Sequence, residues 1–488
     1  MTGYQVKVPI KNGTQYLERL QLHPKDLWIE GEKVEDVTSH MAFSGCADSI
    51  ASLYEMQHDA DFSSKMTFSP ESGNKPEGLS FITPTTKDHL IQRGDMMLSW
   101  ARFSGGVLAR TPDYMNVILM ACSAASDFFG QEDRAFGQNI KNYFKYVMEN
   151  DLTLTHTLVN VRKTKKYPSY AKGDDLGLHL TRERDDGIIV KGARILATLA
   201  PLSDEILVFP SSVVPTDKDA SKYALAFGIS CDTPGLKFLC REALSVGRST
   251  FDHPLSSKFD EGDAIVIFDD VFVPWEKVFI FNNVDISNSA FSNTRAGPHI
   301  NQQIVTKNMA KAEFVLGLAV LMTEALSTNE TPYIQALASE LITTYEVSKA
   351  CLEASISNAK MNEWGVMEPD STPLSAAKSS FTSAYPRLIE ILQLIGSSSL
   401  IAVPSDADFD SDIGGLLEKY LSTDTLDAKR RTKLFRMGWD ISVSSFGGRQ
   451  VLYERFFSGD PHRTAALNFA SYDKELVKNR ALDIINRG

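Results

Sequence analysis

The chain has 488 residues, which is long enough for two or three domains or for one large multilayered unit. Its 43% hydrophobic and 23% charged residues are typical of a globular protein, and its formal net charge of -12 argues against a general nucleic-acid binder. No apolar run reaches membrane-spanning length, so we expect a soluble, cytoplasmic protein without a membrane partner. The five cysteines are scattered and predict neither a disulfide framework nor a zinc site.

The first segment, residues 1–151, is predicted to form a helical domain, because its apolar positions recur mainly at helical spacing. The clearest helix covers residues 113–129. Pro112 fits the first turn of this helix, where the missing N–H costs nothing, and Thr111 is a suitable N-cap.

The second segment, residues 152–282, changes to the period of strands. Residues 187–198 contain two short β-rich runs around Lys191 and Gly192, which predicts a hairpin turn at that pair. Further strands are predicted at residues 205–209, 223–227, 236–239, 264–268 and 271–275. Their close spacing favours a compact β-barrel or sandwich over a βαβ series.

The third segment, residues 283–488, returns to the helical period and is predicted to form a helical bundle. Pro386 should kink or break the third of its long helices. The long amphipathic helices are predicted at residues 304–326, 333–364, 375–395 and 428–445. The fold class is therefore α+β, in the order helical, β, helical.

Several familiar cofactor motifs are missing from the sequence. There is no GxGxxG after a strand, no GxxxxGK[ST] phosphate loop, no HExxH and no GxSxG elbow. A redox cofactor would therefore bind by another scheme. Electrons from NAD(P)H would then enter through a different protein.

Five sequence blocks, in one order along the chain, carry a family resemblance. They are SGGVLARTPDYMN (104–116), LTHTLVN (154–160), GIIVKGARILAT (187–198), HPLSSKFDE with VPWE (253–261 and 273–276), and SFGGRQVLYE (445–454). Together they resemble the large, oxygenase-component family of 4-hydroxyphenylacetate 3-monooxygenase. Each block is weak alone, but five in the same order are specific.

The resemblance implies both a fold and a reaction. The family's fold is like that of acyl-CoA dehydrogenases, with an N-terminal helical domain, a middle β-barrel and a C-terminal four-helix bundle. Its members are usually homotetramers or homodimers. They take reduced FAD from a separate NAD(P)H:flavin reductase and add O2 to it as a C4a-hydroperoxide. They then transfer one oxygen atom to a small phenol, ortho to its hydroxyl.

Three residues are the candidate catalytic and substrate-binding groups. Arg110 and Tyr114 are four residues apart at the start of a helix, which places them on one face. The resemblance implies that they hydrogen-bond the phenol oxygen and the flavin peroxide. It makes His156 the third ligand of the phenol oxygen and the base or proton relay, a task that suits an ordinary histidine pKa near 6.5.

The resemblance also implies cofactor and substrate contacts elsewhere. The candidate FAD contacts are His156, Thr157, Leu158, Arg162, Lys165, Thr198, Phe446, Gly447, Gly448 and Arg449, and Ser211 and Ser212 are candidates for holding the substrate's carboxylate end. The sequence departs from the family just after His156. The family continues there through Asn-Pro and an Asp-Arg pair, whereas this chain has NVRKTK (160–165). Arg162 and Lys165 are cations suited to a pyrophosphate, but the departure leaves that contact open.

Three other interpretations stay open at this point. One is an acyl-CoA dehydrogenase with tightly bound FAD, for which we find no base motif. Another is a flavoenzyme like 4-hydroxybutyryl-CoA dehydratase, whose cluster needs three cysteines. This chain has no CxxxC pair, and Thr306 stands seven residues after His299 where that enzyme has a cysteine. The last is a silent scaffold. The identity of the phenol is not readable, because it depends on the loop at residues 210–220.

Overall fold

The computed structural model describes residues 12–69, 76–161, 175–210, 213–216, 220–245, 247–457 and 459–487. Residues up to 149 form mainly helices. In chain order the elements are α1 Gly13–Leu22, β1 Asp26–Ile29, β2 Glu32–Lys33, α2 Ser44–Glu55, α3 Ser63–Met66, β3 Thr67–Phe68, β4 Glu77–Gly78, α4 Lys87–Phe103, α5 Pro112–Ala124, α6 Ser126–Phe129 and α7 Arg134–Glu149. The predicted helix at 113–129 is therefore α5 followed by the short α6.

The middle of the chain forms strands. They are β5 Leu154–Thr157, β6 His179–Arg184, β7 Gly187–Thr198, β8 Glu205–Val208, β9 Leu225–Ser230, β10 Leu236–Cys240, β11 Asp263–Pro274 and β12 Val278–Phe281, with the short helix α8 Ser256–Phe259 before β11. They belong to a six-stranded sheet in the order β2-β1-β10-β11-β7-β6 and a four-stranded sheet in the order β12-β9-β8-β5. The middle of the chain thus contributes to two sheets, and a closed barrel stays a prediction.

The third part is helical apart from one small ladder. Its elements are α9 Val284–Asn293, α10 Ala296–Ala325, α11 Pro332–Ser357, β13 Lys360–Met361, β14 Met367–Glu368, α12 Ser371–Gly396, α13 Ser398–Ile401, α14 Asp406–Phe409, α15 Gly414–Leu421, α16 Ala428–Ser442, α17 Ser445–Phe456, α18 Pro461–Ser471 and α19 Glu475–Ile485. Helices α10, α11 and α12 pack against one another, and α16 and α17 pack on α12. The α+β order of helices, sheets and helices is confirmed.

The predicted hairpin at Lys191 and Gly192 is wrong. Residues 187–198 form the single strand β7, which pairs antiparallel with β11 along its length. A shift of register between Phe268 and Val271 lies opposite this point, where the ladder pairs Phe268 with Gly192. Gly192 has φ of +122°, and a Cβ there would lie 2.3 Å from the Gly177 carbonyl oxygen. The glycine therefore marks an irregularity within a long strand, which is its other common use.

Pro386 does not break α12, which continues through it from Ser371 to Gly396, and the alternative of a kink stays a prediction. A proline inside a helix removes only one ladder hydrogen bond, and packing against neighbouring helices offsets that loss. Phe381, Tyr385 and Leu388 around it are buried in the main core. Tertiary contacts therefore decide the length of this helix.

The N-terminal segment is tied to the middle of the chain. Strand β1 pairs in parallel with β10, so the six-stranded sheet extends beyond residues 152–282. Arg19 on α1 forms a buried ion pair with Asp204, with Nη2 2.7 Å from Oδ2. The Tyr16 hydroxyl donates to the Leu202 carbonyl oxygen at 2.7 Å. The domain boundaries at 151 and 282 remain a prediction.

The described helices differ from membrane-spanning ones in length and hydropathy. None of them is both long enough and apolar enough to cross a bilayer. The five cysteines are free thiols.

Candidate functional site

Arg110, Tyr114 and His156 meet at the junction of the helical and β regions. Tyr114 lies in the first turn of α5, and His156 lies on β5. Their rings are 5.6 Å apart between centroids. The Arg110 guanidinium carbon lies 4.0 Å from the centroid of the Tyr114 ring. The predicted triad is therefore assembled in space.

The reason for this proximity differs from the predicted one. Arg110 precedes α5, which begins at Pro112, so it is not on a helical face with Tyr114. Thr111 is the N-cap residue, as expected, but its side chain makes no capping hydrogen bond. The contact instead comes from the extended approach to the helix, which folds the guanidinium over the Tyr114 ring.

Four polar side-chain atoms of this site are buried without a hydrogen-bond partner among the described residues. Within the described part of the chain, no hydrogen-bond partner exists for Arg110 Nε and Nη1, His156 Nδ1 or Thr157 Oγ1. Buried polar atoms without partners cost on the order of 1–3 kcal/mol each and are rare in folded proteins. Burial, together with the positive charge of Arg110, holds the pKa of His156 well below its ordinary value. The site thus presents a cation and a neutral imidazole, both able to bind a polar ligand.

Helix α17 and the residue that follows it place two aromatic rings, Tyr453 and Phe457, near Arg110. The sequence analysis did not predict these contacts. The Arg110 guanidinium carbon lies 4.0 Å from the Phe457 ring centroid and 5.8 Å from that of Tyr453. Such cation–π contacts hold a guanidinium without using its N–H groups. Arg449, Tyr453 and Phe457 are spaced by four residues, a signal in the sequence that would have placed them on one helical face.

A second missed group is a buried charge cluster beside Phe457. Lys307 Nζ lies 2.6 Å from Glu454 Oε1 and 4.8 Å from the Phe457 ring centroid. Lys311 Nζ lies 2.5 Å from the same carboxylate oxygen and 2.8 Å from Gln450 Oε1. Burial opposes ionisation, but Lys307 and Lys311 lower the pKa of Glu454 to about 2. Burial also lowers the pKa of Lys307 to about 7.

One cavity lies where two of the sequence blocks meet. It has a volume of about 420 Å³ and is lined by Ser104 and Gly105 of the first block, Leu255 and Lys258 of the fourth, and residues of α10 such as Phe314. Arg110, Tyr114 and His156 do not line it. The first and fourth sequence blocks therefore also line a cavity, apart from their part in the site.

Comparison with known proteins decides the family. The family model for the 4-hydroxyphenylacetate 3-hydroxylase N terminal matches residues 12–280, and that for the C terminal matches residues 287–486. The chain belongs to the 4-hydroxyphenylacetate 3-hydroxylase family.

Similar proteins cover nearly the whole chain. A 4-hydroxyphenylacetate 3-monooxygenase oxygenase component from Geobacillus sp. (strain PA-9) is 43% identical over 97% of this chain and 96% of its own length. The one from Thermus thermophilus is 42% identical over 96% of each chain. A crystal structure of the oxygenase component of 4-hydroxyphenylacetate 3-monooxygenase, complexed with FAD and 4-hydroxyphenylacetate, has a TM-score of 0.93. It is 41% identical and covers 98% of this chain and 99% of that one.

The family's C-terminal block lies at the start of a helix. Gly447 and Gly448 are in the first turn of α17, and the Gly447 N–H donates to the Ser444 hydroxyl at 3.2 Å. A Cβ on Gly447 would lie 2.5 Å from the Ile441 carbonyl oxygen, whereas one on Gly448 would meet nothing within 4 Å. Phe446 is buried in the core. Only Gly448 thus leaves open space beside the backbone, and the FAD contacts of all three remain predictions.

Thr198 and Arg449 both bind the carboxylate of Asp263. The Thr198 hydroxyl donates to Asp263 Oδ1 at 2.8 Å. Arg449 makes a bidentate pair with Asp263 and a further bond to Glu261. These two FAD contacts predicted from the family resemblance are therefore engaged with protein groups in this structure.

Of the remaining residues predicted to contact FAD or substrate, two lie beside His156 and four lie outside the described residues. The carbonyl oxygens of Thr157 and Leu158 each accept a hydrogen bond from the buried Arg194 guanidinium at 3.1 Å. This fixes the end of β5, where His156 lies. Arg162, Lys165, Ser211 and Ser212 lie outside the described residues.

Proposed function

We propose that this chain is the oxygenase component of a two-component monooxygenase that hydroxylates a small, 4-hydroxyphenylacetate-like phenol ortho to its hydroxyl, using reduced FAD and O2. One observation carries the proposal. The buried Arg110 and His156 pack against the Tyr114 ring and keep unpaired polar atoms, in a chain 41% identical to an oxygenase component solved with FAD and 4-hydroxyphenylacetate. The family assigns the cosubstrates, and the site supplies the groups that a phenol needs.

Arg110 is the group that prepares the phenol for attack. A guanidinium next to the phenol oxygen lowers the pKa of that hydroxyl and favours the phenolate, whose negative charge activates the ortho carbon. Because Tyr114 and Phe457 hold the guanidinium through their rings, Nε and Nη1 stay free to donate. Reduced FAD, when bound, supplies the oxygen atom after reaction with O2.

His156 is the proton carrier of the proposal. Burial and Arg110 lower the pKa of His156 well below its ordinary value, contrary to the expectation from the sequence. The imidazole is therefore neutral, and its role is that of a relay that accepts the phenol proton and passes it on. Its Nδ1 has no partner within the described ranges and is the atom available for that transfer. Tyr114 packs beside it and orients the ring of the substrate.

The residues around this site fit a flavin on chemical grounds. Thr157 offers an unpaired buried hydroxyl, and Gly448 leaves space beside the backbone at the N-terminus of α17. The N–H groups of Gly447 and Gly448 already donate to the hydroxyl and carbonyl oxygens of Ser444, respectively, so this position offers space rather than free donors. We therefore keep these two positions as the first candidates for FAD contacts.

A separate NAD(P)H:flavin reductase and a homotetrameric or homodimeric state complete the proposal. The C-terminal helices support association with a second copy of the chain, because α18 and α19 have no buried residue among those described. They carry apolar side chains that are more than half exposed: Leu467, Phe469, Leu476, Ile484 and Ile485. Light scattering behind a sizing column measures the assembly directly, and a monomer would contradict this part.

The test of function is an aerobic assay with FAD, NADH and an unrelated flavin reductase. A panel of phenols, led by 4-hydroxyphenylacetate, is followed by mass spectrometry for the gain of one oxygen atom. We expect a catechol that requires the protein. Failure to bind reduced FAD under anaerobic conditions would refute the proposal.

A further inference from the structure

Glu261 joins the backbone at Arg110 to helix α17. Its Oε1 accepts hydrogen bonds from the Ala109 N–H at 2.9 Å and the Arg110 N–H at 2.7 Å. Its Oε2 accepts from Arg449 Nη1 at 3.0 Å. The Glu261 side chain is fully buried. A single carboxylate thus connects two segments that are far apart in sequence.

Arg449 is itself fixed by a second carboxylate. Its Nε and Nη2 donate to Asp263 Oδ2 and Oδ1 at 3.1 and 2.8 Å. A bidentate pair of this kind defines the plane of the guanidinium. Burial alone would raise the pKa of Asp263, but Arg449 and Arg241 hold it well below its usual range. The Asp263 carboxylate therefore stays charged beside Arg449 near neutral pH.

The same helix also contacts the other end of Arg110. Arg449 lies over the Tyr453 ring, with its guanidinium carbon 4.1 Å from the centroid, and Phe457 follows one turn later. Phe457 is one of the two rings that pack on the Arg110 guanidinium. Arg110 is thus held at its backbone through Glu261 and at its side chain through Phe457, both by way of α17.

We propose that Glu261 is a positioning residue for hydroxylation: it fixes the Arg110 guanidinium relative to His156 by bonding the Ala109 and Arg110 amides to Arg449. This inference rests on the proposed function, since it assigns Glu261 a role in that same reaction. Glu261 acts through Arg110 and does not contact the substrate. A purely structural role would change stability alone.

The chain offers a matched control for a purely structural role. Asp204 is also a buried carboxylate that binds an arginine and a backbone amide. It accepts from Arg19 Nε and Nη2 at 2.8 and 2.7 Å and from the Thr153 N–H at 2.9 Å. Asp204→Asn therefore weakens the same kind of interaction, as Glu261→Gln does, without touching Arg110.

Hydrogen–deuterium exchange tests the connection without any assay of activity. Glu261→Met removes both acceptors, whereas Glu261→Gln keeps one oxygen for the two amides and guards against misfolding of the first variant. We expect the peptide containing Ala109 and Arg110 to exchange about tenfold faster in Glu261→Met. In Glu261→Gln this peptide should exchange at a rate between those of the wild type and Glu261→Met. In Asp204→Asn it should exchange at the wild-type rate. Unchanged exchange in Glu261→Met would overturn the proposal.

Hydroxylation then tests the positioning role. A shift of about 1 Å in a catalytic group costs about 10²-fold in rate, so kcat of Glu261→Met should fall by about that factor. Affinity for reduced FAD should stay within about threefold, and more hydrogen peroxide should form per NADH consumed. Glu261→Gln should recover most of the rate. Faster exchange with wild-type kcat would overturn the role. Faster exchange in a protein whose wild type oxidises no phenol would support the connection and refute the proposed function instead.

Discussion

The buried polar groups near Arg110 form two regions that differ in how they are paired. In the charge clusters around α17, each carboxylate meets cations at hydrogen-bond distance, as Glu454 does with Lys307 and Lys311. In the Arg110–His156 region, by contrast, guanidinium and imidazole atoms have no partner among the described residues. The paired region stabilises the fold and fixes geometry, while the unpaired region keeps binding capacity free. Substitutions in the two regions should therefore have opposite signatures.

The largest effect is expected in the unpaired region. Arg110→Ala removes the cation that we propose favours the phenolate, and loss of one such donor typically costs about 10²- to 10³-fold in kcat. Binding of reduced FAD, measured anaerobically, should weaken far less. Arg102→Ala is the control, because Arg102 is an exposed arginine paired with Glu313. Full hydroxylation by Arg110→Ala would show that the role is wrongly assigned.

The paired region should respond in stability. Glu454→Gln leaves Lys307 and Lys311 buried without their anion, and breaking a buried pair costs about 3–5 kcal/mol in the free energy of unfolding. In the wild type, the folded pKa of Glu454 is about 2, below its unfolded value, so the unfolded chain binds the proton first. The unfolding free energy should therefore fall as pH drops from about 4.5 to about 2. Urea titrations measure both effects, and Glu313→Gln at the surface should cost less than about 1 kcal/mol.

Removing His156 gives the next smaller effect and no loss of fold. His156→Gln keeps a hydrogen-bonding side chain but cannot carry the proton, and general acid–base groups contribute about 10²- to 10⁴-fold. We expect kcat near the lower end of that range, with thermal unfolding close to that of the wild type. Rapid-quench measurement of catechol formation separates this step from flavin delivery. An unchanged rate of catechol formation would exclude His156 as the proton carrier.

The pH profile sharpens the same comparison. Because the pKa of His156 lies well below 6.5 in the folded protein, the imidazole stays neutral as pH falls from 7.5 to 6.5. The acid limb of kcat/KM should therefore lie below pH 6.5 and vanish in His156→Gln. A limb near pH 7 that His156→Gln removes would contradict the pKa shift.

The smallest effect should come from the hydrogen bond between Thr198 and Asp263. Thr198→Val removes one hydrogen bond to Asp263, which costs about 1 kcal/mol. Thr198→Ser keeps the hydroxyl and is the control. If Thr198 also contacts FAD, Thr198→Val should weaken reduced-FAD binding more than Thr198→Ser does. Equal binding by the two variants would speak against that contact.

The sequence predicted local features better than distant ones. Helix α5 and most strands followed from periodicity, whereas the assembly of Arg110, Tyr114 and His156 followed from the family resemblance alone. The prediction of a hairpin at Lys191 and Gly192 was wrong because glycine occurs both in tight turns and at bulges within a strand. Burial decided whether Pro386 ended a helix, and burial is not visible in a single helix pattern.

The missed residues of the site have a common reason. Lys307, Lys311 and Glu454 are charged residues on helices, which in a sequence look like solvated positions. Only the packing of α10 against α17 shows that they are buried together. Glu261 lies within the fourth sequence block. Its side chain accepts from the backbone N–H groups of Ala109 and Arg110 only because of the path that the chain takes there. Tyr453 and Phe457 could have been found from their spacing with Arg449.

The parallel pairing of β1 with β10 has a consequence for synthesis on the ribosome. Strand β1 emerges early, yet its partner strand is made some two hundred residues later. Arg19 likewise cannot form its ion pair until Asp204 has been synthesised, 185 residues further along the chain. Until then the nascent N-terminal region carries an unmatched strand edge and a cation destined for the interior, both of which favour wrong associations. Native assembly of this first region must therefore be completed late, when the middle of the chain has left the exit tunnel.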